Sequence, residues 1–220
     1  MRPPDLLAAA DHIHALAVTT LGEPPIPPGS AARRVWAGTL TDESGARPRT
    51  AIPLLEHLAD IPRAERTLSD VNDALWRLRG GPGPDPLTLV LPGDGPLLGQ
   101  SGPGIESSTE QELAALHALG ALGVELDAPP LWDRLWAAAD WHVRELQPDN
   151  ATNRPWAVHV FLLRASRCDD ADLAAGARLH ASTLLHNCQV LTGRPDRISA
   201  CILLDAATIL RRATDRAKTL

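Results

Sequence analysis

Lysine is almost missing from this 220-residue chain: Lys218 is the only one, against twenty arginines. With that lysine near the end of the sequence, no residue is placed to form a Schiff base or to serve a lysine-bearing phosphate loop. Cysteine is scarce as well. Cys168, Cys188 and Cys201 are too few and too scattered for a disulfide framework or a four-cysteine zinc site, and read as buried reduced thiols. Tyrosine is absent, and phenylalanine and methionine occur once each. Long uncharged apolar runs are missing too, so no segment approaches the roughly 18 residues of a membrane span. A basic excess is lacking: the net charge of −6 argues against nucleic acid as a partner, which demands a basic surface. Leu6 to Ala10 is apolar but bracketed by Asp5 and Asp11, unlike a secretion signal. The expectation is a soluble, cytoplasmic protein. The arginine and alanine bias points to a GC-rich, bacterial source.

Among the residues present, six tryptophans stand out, four of them between 132 and 156. Trp132, Trp136, Ala139, Val143 and Leu146 recur at three and four, the spacing of one helix stripe. Gln147-Pro148 should end that helix, since proline donates no hydrogen bond and pushes its predecessor out of the helical region. A second helix is expected from Asn153 or Arg154, with Trp156, Val160 and Leu163 facing inward. The polar run from Asp140 to Val160 therefore reads as the elbow of a helical hairpin. Counted from the turn, His142 and His159 come to the same height on the two arms.

Two readings of the elbow stand side by side. In one, its polar residues cap helix ends, each of which leaves about four unsatisfied backbone groups. In the other they rim a pocket, and Trp141, His142, Asp149, Asn150, Asn153, Arg154, Trp156 and His159, with Asn187 from a later helix, hold a ligand.

The rest of the chain divides in two. From residue 107 the apolar spacing is helical throughout. Thr109 with Glu112 suggests a capping box, Asp127 with Pro129 opens the tryptophan helix, Asp169 or Asp170 caps a helix towards Leu191, and Asp196 opens the last one. The fold class expected is mainly α, an antiparallel bundle of about five helices over 107–218. Residues 1–106 are expected to form a helix (4–21) and a small mixed α/β subdomain. In it, Val35 to Ile52 would make one β-hairpin around Gly45, and Leu87 to Gly99 a second. Ser101 misses the nucleophile-elbow pattern because Pro103 occupies its last glycine position.

One carboxylate looks out of place. Asp205 sits in Ile198 to Leu210, a stretch apolar on nearly every side. A charge buried there requires a partner. Counting out from Gly193 brings Asp205 within a turn of His180, so a His180–Asp205 pair is expected, the carboxylate orienting a general base. His142, His159, His180 and Asp205 are zinc-ligand types, but they lie on four helices with no ligand spacing, so no metal and no cofactor is expected. Asp169, Asp170 and Asp172 are explained as helix-cap residues. Two functions remain in view. One is a binding or assembly module for a small polar ligand or a partner chain, with homo-oligomerisation allowed. The other is a hydrolase or lyase working through His180 and Asp205, with or without a metal.

Overall fold

Helix α5, Ile105–Leu126, is the rod on which the others lie: every residue from Glu112 to Val124 is buried. A helix buried on all faces needs neighbours all round, and α5 has them in α4 (Val71–Leu78), α6 (Pro129–Glu145), α7 (Val158–Arg167) and α9 (Arg197–Ala217). Two glycines let them come close. A Cβ on Gly120 would overlap Val160 and come within 2.8 Å of His159 Nε2, so α7 rests almost on the α5 backbone there. Gly123 takes the ring of Trp132 from α6. The structure, a computed structural model, describes residues 5–62, 70–79, 81, 83–99, 104–146 and 152–218.

The remaining helices follow local signals. Helix α1, Leu6–Leu21, is capped by the Asp5 carboxylate, which accepts from Leu7 N and Ala8 N, and stops at Gly22 with φ of 81°. It packs along α9, so one buried apolar cluster joins Ala10 near the start of the chain to Ala213 near its end. Helix α8, Ala171–Asn187, is capped by Asp170 and packs on α7 across a short turn, and on α6. Helices α2 (Ser30–Gly38) and α3 (Ile52–Leu58) lie before α4. The molecule is mainly helical, with five helices between 105 and 217, and no helix among the described residues is long and apolar enough to cross a membrane.

The mixed α/β subdomain is corrected: no strand is present among the described residues. Val35 and Trp36 belong to α2, where Ser30-Ala-Ala-Arg-Arg34 supplies residues that favour helix over strand. The turn at 42–46 does form, with Asp42 accepting from Ser44 N and Ala46 N and Gly45 at φ of 80°, but no ladder extends from it. In the second expected hairpin, one bond (Leu91 N to Leu97 O, 2.8 Å) joins the arms. Side chains then take over the backbone. Arg134 donates to the carbonyls of Leu91, Gly95 and Pro96, and Glu112 accepts from Leu97 N and Leu98 N. A loop whose amides and carbonyls are satisfied by two helices needs no partner strand.

Glu112 therefore does not close a capping box; α5 starts earlier, behind Gly104. Helix α7 also starts later than expected. Residues 152–157 make a polar turn, with Arg154 N on Thr152 Oγ1 and Ala157 in the left-handed region at φ of 58°.

Candidate functional site

Asp205 is buried, as expected, but its partners are not. Arg79, at the end of α4, grips both its oxygens (Nη1 to Oδ2 2.7 Å, Nη2 to Oδ1 3.3 Å), and His117 of α5 lies 3.0 Å from Oδ2. Ala157 N donates to His117 Nδ1 at 3.2 Å, so the ring proton sits on Nε2 and is donated to Asp205. Arg79 Nε also reaches Glu125 at 3.3 Å. Burial alone would raise the Asp205 carboxyl, but the Arg79 charge and the His117 hydrogen bond hold it well below its ordinary range. Burial pushes His117 down despite that carboxylate, so the imidazole stays neutral. An aromatic cage encloses the group: Trp76 stacks on His117 at 5.7 Å and lies under Arg79, and Trp156 meets His117 edge-on at 5.4 Å.

The expected His180–Asp205 pair is thereby corrected. The reason is the arrangement of the helices: α8 packs on α7 and α6, whereas α9 packs chiefly on α1 and α7. His180 instead lies 3.3 Å from the Gly176 carbonyl and against the Phe161 ring at 5.1 Å. Burial lowers its pKa to about 4.

The two elbow histidines separate in the same way. His159 joins His117, ring centroids 4.4 Å apart, and is fully buried with neither ring nitrogen hydrogen-bonded among the described residues. Its pKa falls well below the ordinary value, through burial first and then the adjacent His117. His142 faces Phe161 and stands 3.8 Å from Glu112. The four residues His142, His159, His180 and Asp205 thus fall into two buried groups and do not line one cavity. Trp156 is wholly buried and Trp141 is half-buried on His142. Asp149 and Asn150 lie outside the described residues. Among the described residues, no group of three or more His, Cys, Asp or Glu side chains is placed to hold a metal ion.

What the sequence reading does bring together is Asn153, Arg154 and Asn187. Arg154 binds both oxygens of Glu110 at 3.0 Å and Asp42 at 2.9 Å, and Glu110 also accepts from Thr50 Oγ1 at 2.6 Å. This knot ties the 40s turn, the start of α5 and the 152–157 turn together. Beside it opens a groove of about 1000 Å³, into which Asn153 and Asn187 project with Thr50, Glu110 and Gln111. Ile105, Val190 and Leu191 line it too, and they are 71%, 59% and 69% exposed. A small recess continues the groove past Asn153 and Asn187 to Glu43 and Asp196. Those two carboxyls share a hydrogen bond. Burial and Glu43 push Asp196 up to about 6, while the hydrogen bond from Asp196 lowers Glu43.

Sequence reasoning missed Arg79, His117, Glu110 and the three exposed apolar residues. His117 carried a signal, as a lone histidine amid Leu113, Leu116 and Leu119. Arg79 carried none, because a basic residue in the last turn of a helix is ordinary. Comparison with models of known protein families, with curated proteins and with solved structures gives no match to this chain.

Proposed function

We propose that this protein is a binding module whose site is the groove between the start of α5, the 152–157 turn and the end of α8, and that its occupant is an extended segment of a partner chain. One observation carries the reading: three large apolar side chains, Ile105, Val190 and Leu191, stand exposed in the same hollow as the amides of Asn153 and Asn187. Large apolar residues gathered in one exposed place mark interaction surfaces more than they serve the fold. Asparagine amides donate and accept at once, which suits the alternating N–H and C=O groups of a peptide main chain. The concave shape favours a linear occupant over a second copy of the same face, since an isologous contact needs a self-complementary surface. The buried Arg79–Asp205–His117 group belongs to the scaffold in this reading, because all its charge is matched internally.

The test is selection of randomised short peptides on the purified protein, followed by affinity measurement. Enriched peptides are expected to bind the wild type at least about tenfold more tightly than Leu191→Asp or Asn187→Leu, since interface anchors commonly contribute more than about 1.4 kcal/mol. Peptides that bind all three proteins equally, or a selection that enriches none, would overturn the reading.

A further inference from the structure

Histidine is concentrated in one place inside this fold. Each of the helices α5 to α8 buries one: His117, His142, His159 and His180, none more than 4% exposed. Together they follow the seam where the α7–α8 pair meets α5 and α6. His159 of α7 lies on His117 of α5, ring centroids 4.4 Å apart, and Phe161 of α7 meets both His142 of α6, at 6.1 Å, and His180 of α8, at 5.1 Å. Two glycines close the seam. Gly120 admits Val160 and His159, and a Cβ on Gly176 of α8 would overlap Val143 of α6. Helices this close leave water little access to the rings between them.

A proton on these rings is poorly served while the seam is shut. Among the described residues, His159 has neither ring nitrogen hydrogen-bonded, and His142 Nε2 has no hydrogen-bond partner. The charges that face them are engaged elsewhere or of the wrong sign. Asp205 of α9 is gripped by Arg79 of α4, whose own charge opposes a proton on His117 and on His159, and His57 of α3 lies beyond Trp76. Glu112 of α5, 3.8 Å from His142, already accepts from Leu97 N and Leu98 N. His142 in turn opposes a proton on His180. At the margins two ion pairs span the seam, Arg164 on Asp140 and Arg154 on Glu110.

We propose that this seam is an acid-operated joint, along which the α7–α8 pair parts from α5 and α6 as the buried histidines take up protons, while α1 stays packed on α9. An opened seam exposes the rings to water and binds more protons than a closed one, so acid favours opening. His180 sets the scale: a pKa of about 4 in the closed form against about 6.5 on exposure favours opening roughly twentyfold more at pH 5 than at pH 7. His117 and His159, also lowered by burial, add to it. The groove stands across this seam. Ile105, Glu110 and Gln111 come from α5, whereas Asn153, Asn187 and Leu191 come from the α7–α8 side, so parting the seam divides its walls. A bound segment is therefore released in acid, a consequence that rests on the peptide-groove reading, whereas the opening itself does not.

Hydrogen exchange of the full-length protein at pH 7 and pH 5, corrected for the intrinsic rate, reads the opening without any peptide. Protection across α7 and α8 is expected to fall at least about a hundredfold at pH 5, with that of α1 and α9 held. His159→Leu and His180→Leu, as separate variants, should each make the fall smaller by about tenfold. Equal loss of protection in α1 and α9, which is global unfolding, unchanged protection of α7 and α8, or a wild-type pH response in both variants would overturn the joint. The wild-type comparison decides even if a variant does not fold. A peptide selected on the groove should bind at least about tenfold more weakly at pH 5, and that loss should shrink in His159→Leu, which leaves Glu43 and Asp196 in place. Affinity that is unchanged at pH 5 with the seam open would overturn the link from joint to groove.

Discussion

The Asp205 cluster and the Arg154 knot use the same chemistry, an arginine between carboxylates, in opposite settings. Arg79 and Asp205 are buried, caged by Trp76 and Trp156, and joined by His117 in a closed set of hydrogen bonds. Arg154 joins Glu110 and Asp42 near the surface, beside a groove that opens to solvent. In the first setting polar atoms are scaffold, since nothing can reach them without unfolding the helices around α5. In the second they hold three chain segments in place beside a groove that Asn153 and Asn187 line. An ionisable group deep in an apolar helix therefore marks architecture here, while the proposed site is the groove where exposed apolar residues adjoin polar ones.

The comparison is tested most severely by breaking the interior. Arg79→Met strands a buried carboxylate, and loss of one partner of a buried pair costs about 3–5 kcal/mol. For a chain of this length the midpoint of thermal unfolding should fall by on the order of 10 °C. Arg79→Met combined with Asp205→Leu should recover only part of that loss, because it removes the stranded charge but leaves the buried His117 Nε2–H without its acceptor. A single Arg79→Met variant that melts with the wild type would show that the interior cluster is not the structural core described.

Much of the helical half was legible in the sequence. The stripe in 132–146, the caps at Asp170 and Asp196 and the all-round apolar character of 198–210 are local facts, and the helices stand where they point. The strands were misread because their absence depends on distant residues: Arg134 and Glu112 satisfy the backbone of 91–98 from other helices. The Asp205 partner was misread for a similar reason. Counting from Gly193 presumes that α8 and α9 form a tight hairpin, but the 188–196 connection lets α9 leave α8 and pack on α1. The sequence suggests Asn153 and Asn187 as ligand residues, and the structure brings them to one groove; its apolar side is not legible in the sequence, since exposure of Ile105 and Leu191 is a tertiary property.

An intermediate effect is expected from acid. His180 is neutral when folded, with a pKa of about 4, while in the unfolded chain it titrates near 6.5. Between those values the unfolded state binds the extra proton, so stability is lost as the pH falls below about 6.5, by about 2 kcal/mol from this residue at pH 5. His117 and His159, also lowered by burial, act in the same direction. Asp196 opposes them: raised to about 6, it stabilises the fold at lower pH and loses that contribution as the pH rises through 6. The histidines outnumber it, so the melting temperature should drop from pH 7 to pH 5. The drop should shrink in His180→Leu; an unchanged slope would place the His180 proton elsewhere.

The smallest effect on stability should come from the groove itself. Leu191 is 69% exposed and lies beyond the end of α8, so Leu191→Ser removes little buried surface and breaks no cap. Its unfolding free energy should stay within about 0.5 kcal/mol of the wild type, as surface changes away from special features usually do. Urea denaturation of the two proteins measures this directly. A loss of more than about 1 kcal/mol would mean that Leu191 packs into the fold, and its exposure could no longer be attributed to a partner. The contrast with Arg79→Met is the point. If the interior cluster is scaffold and the groove is site, the same assay should separate the two by several-fold, with the larger loss inside and the ligand-dependent loss outside.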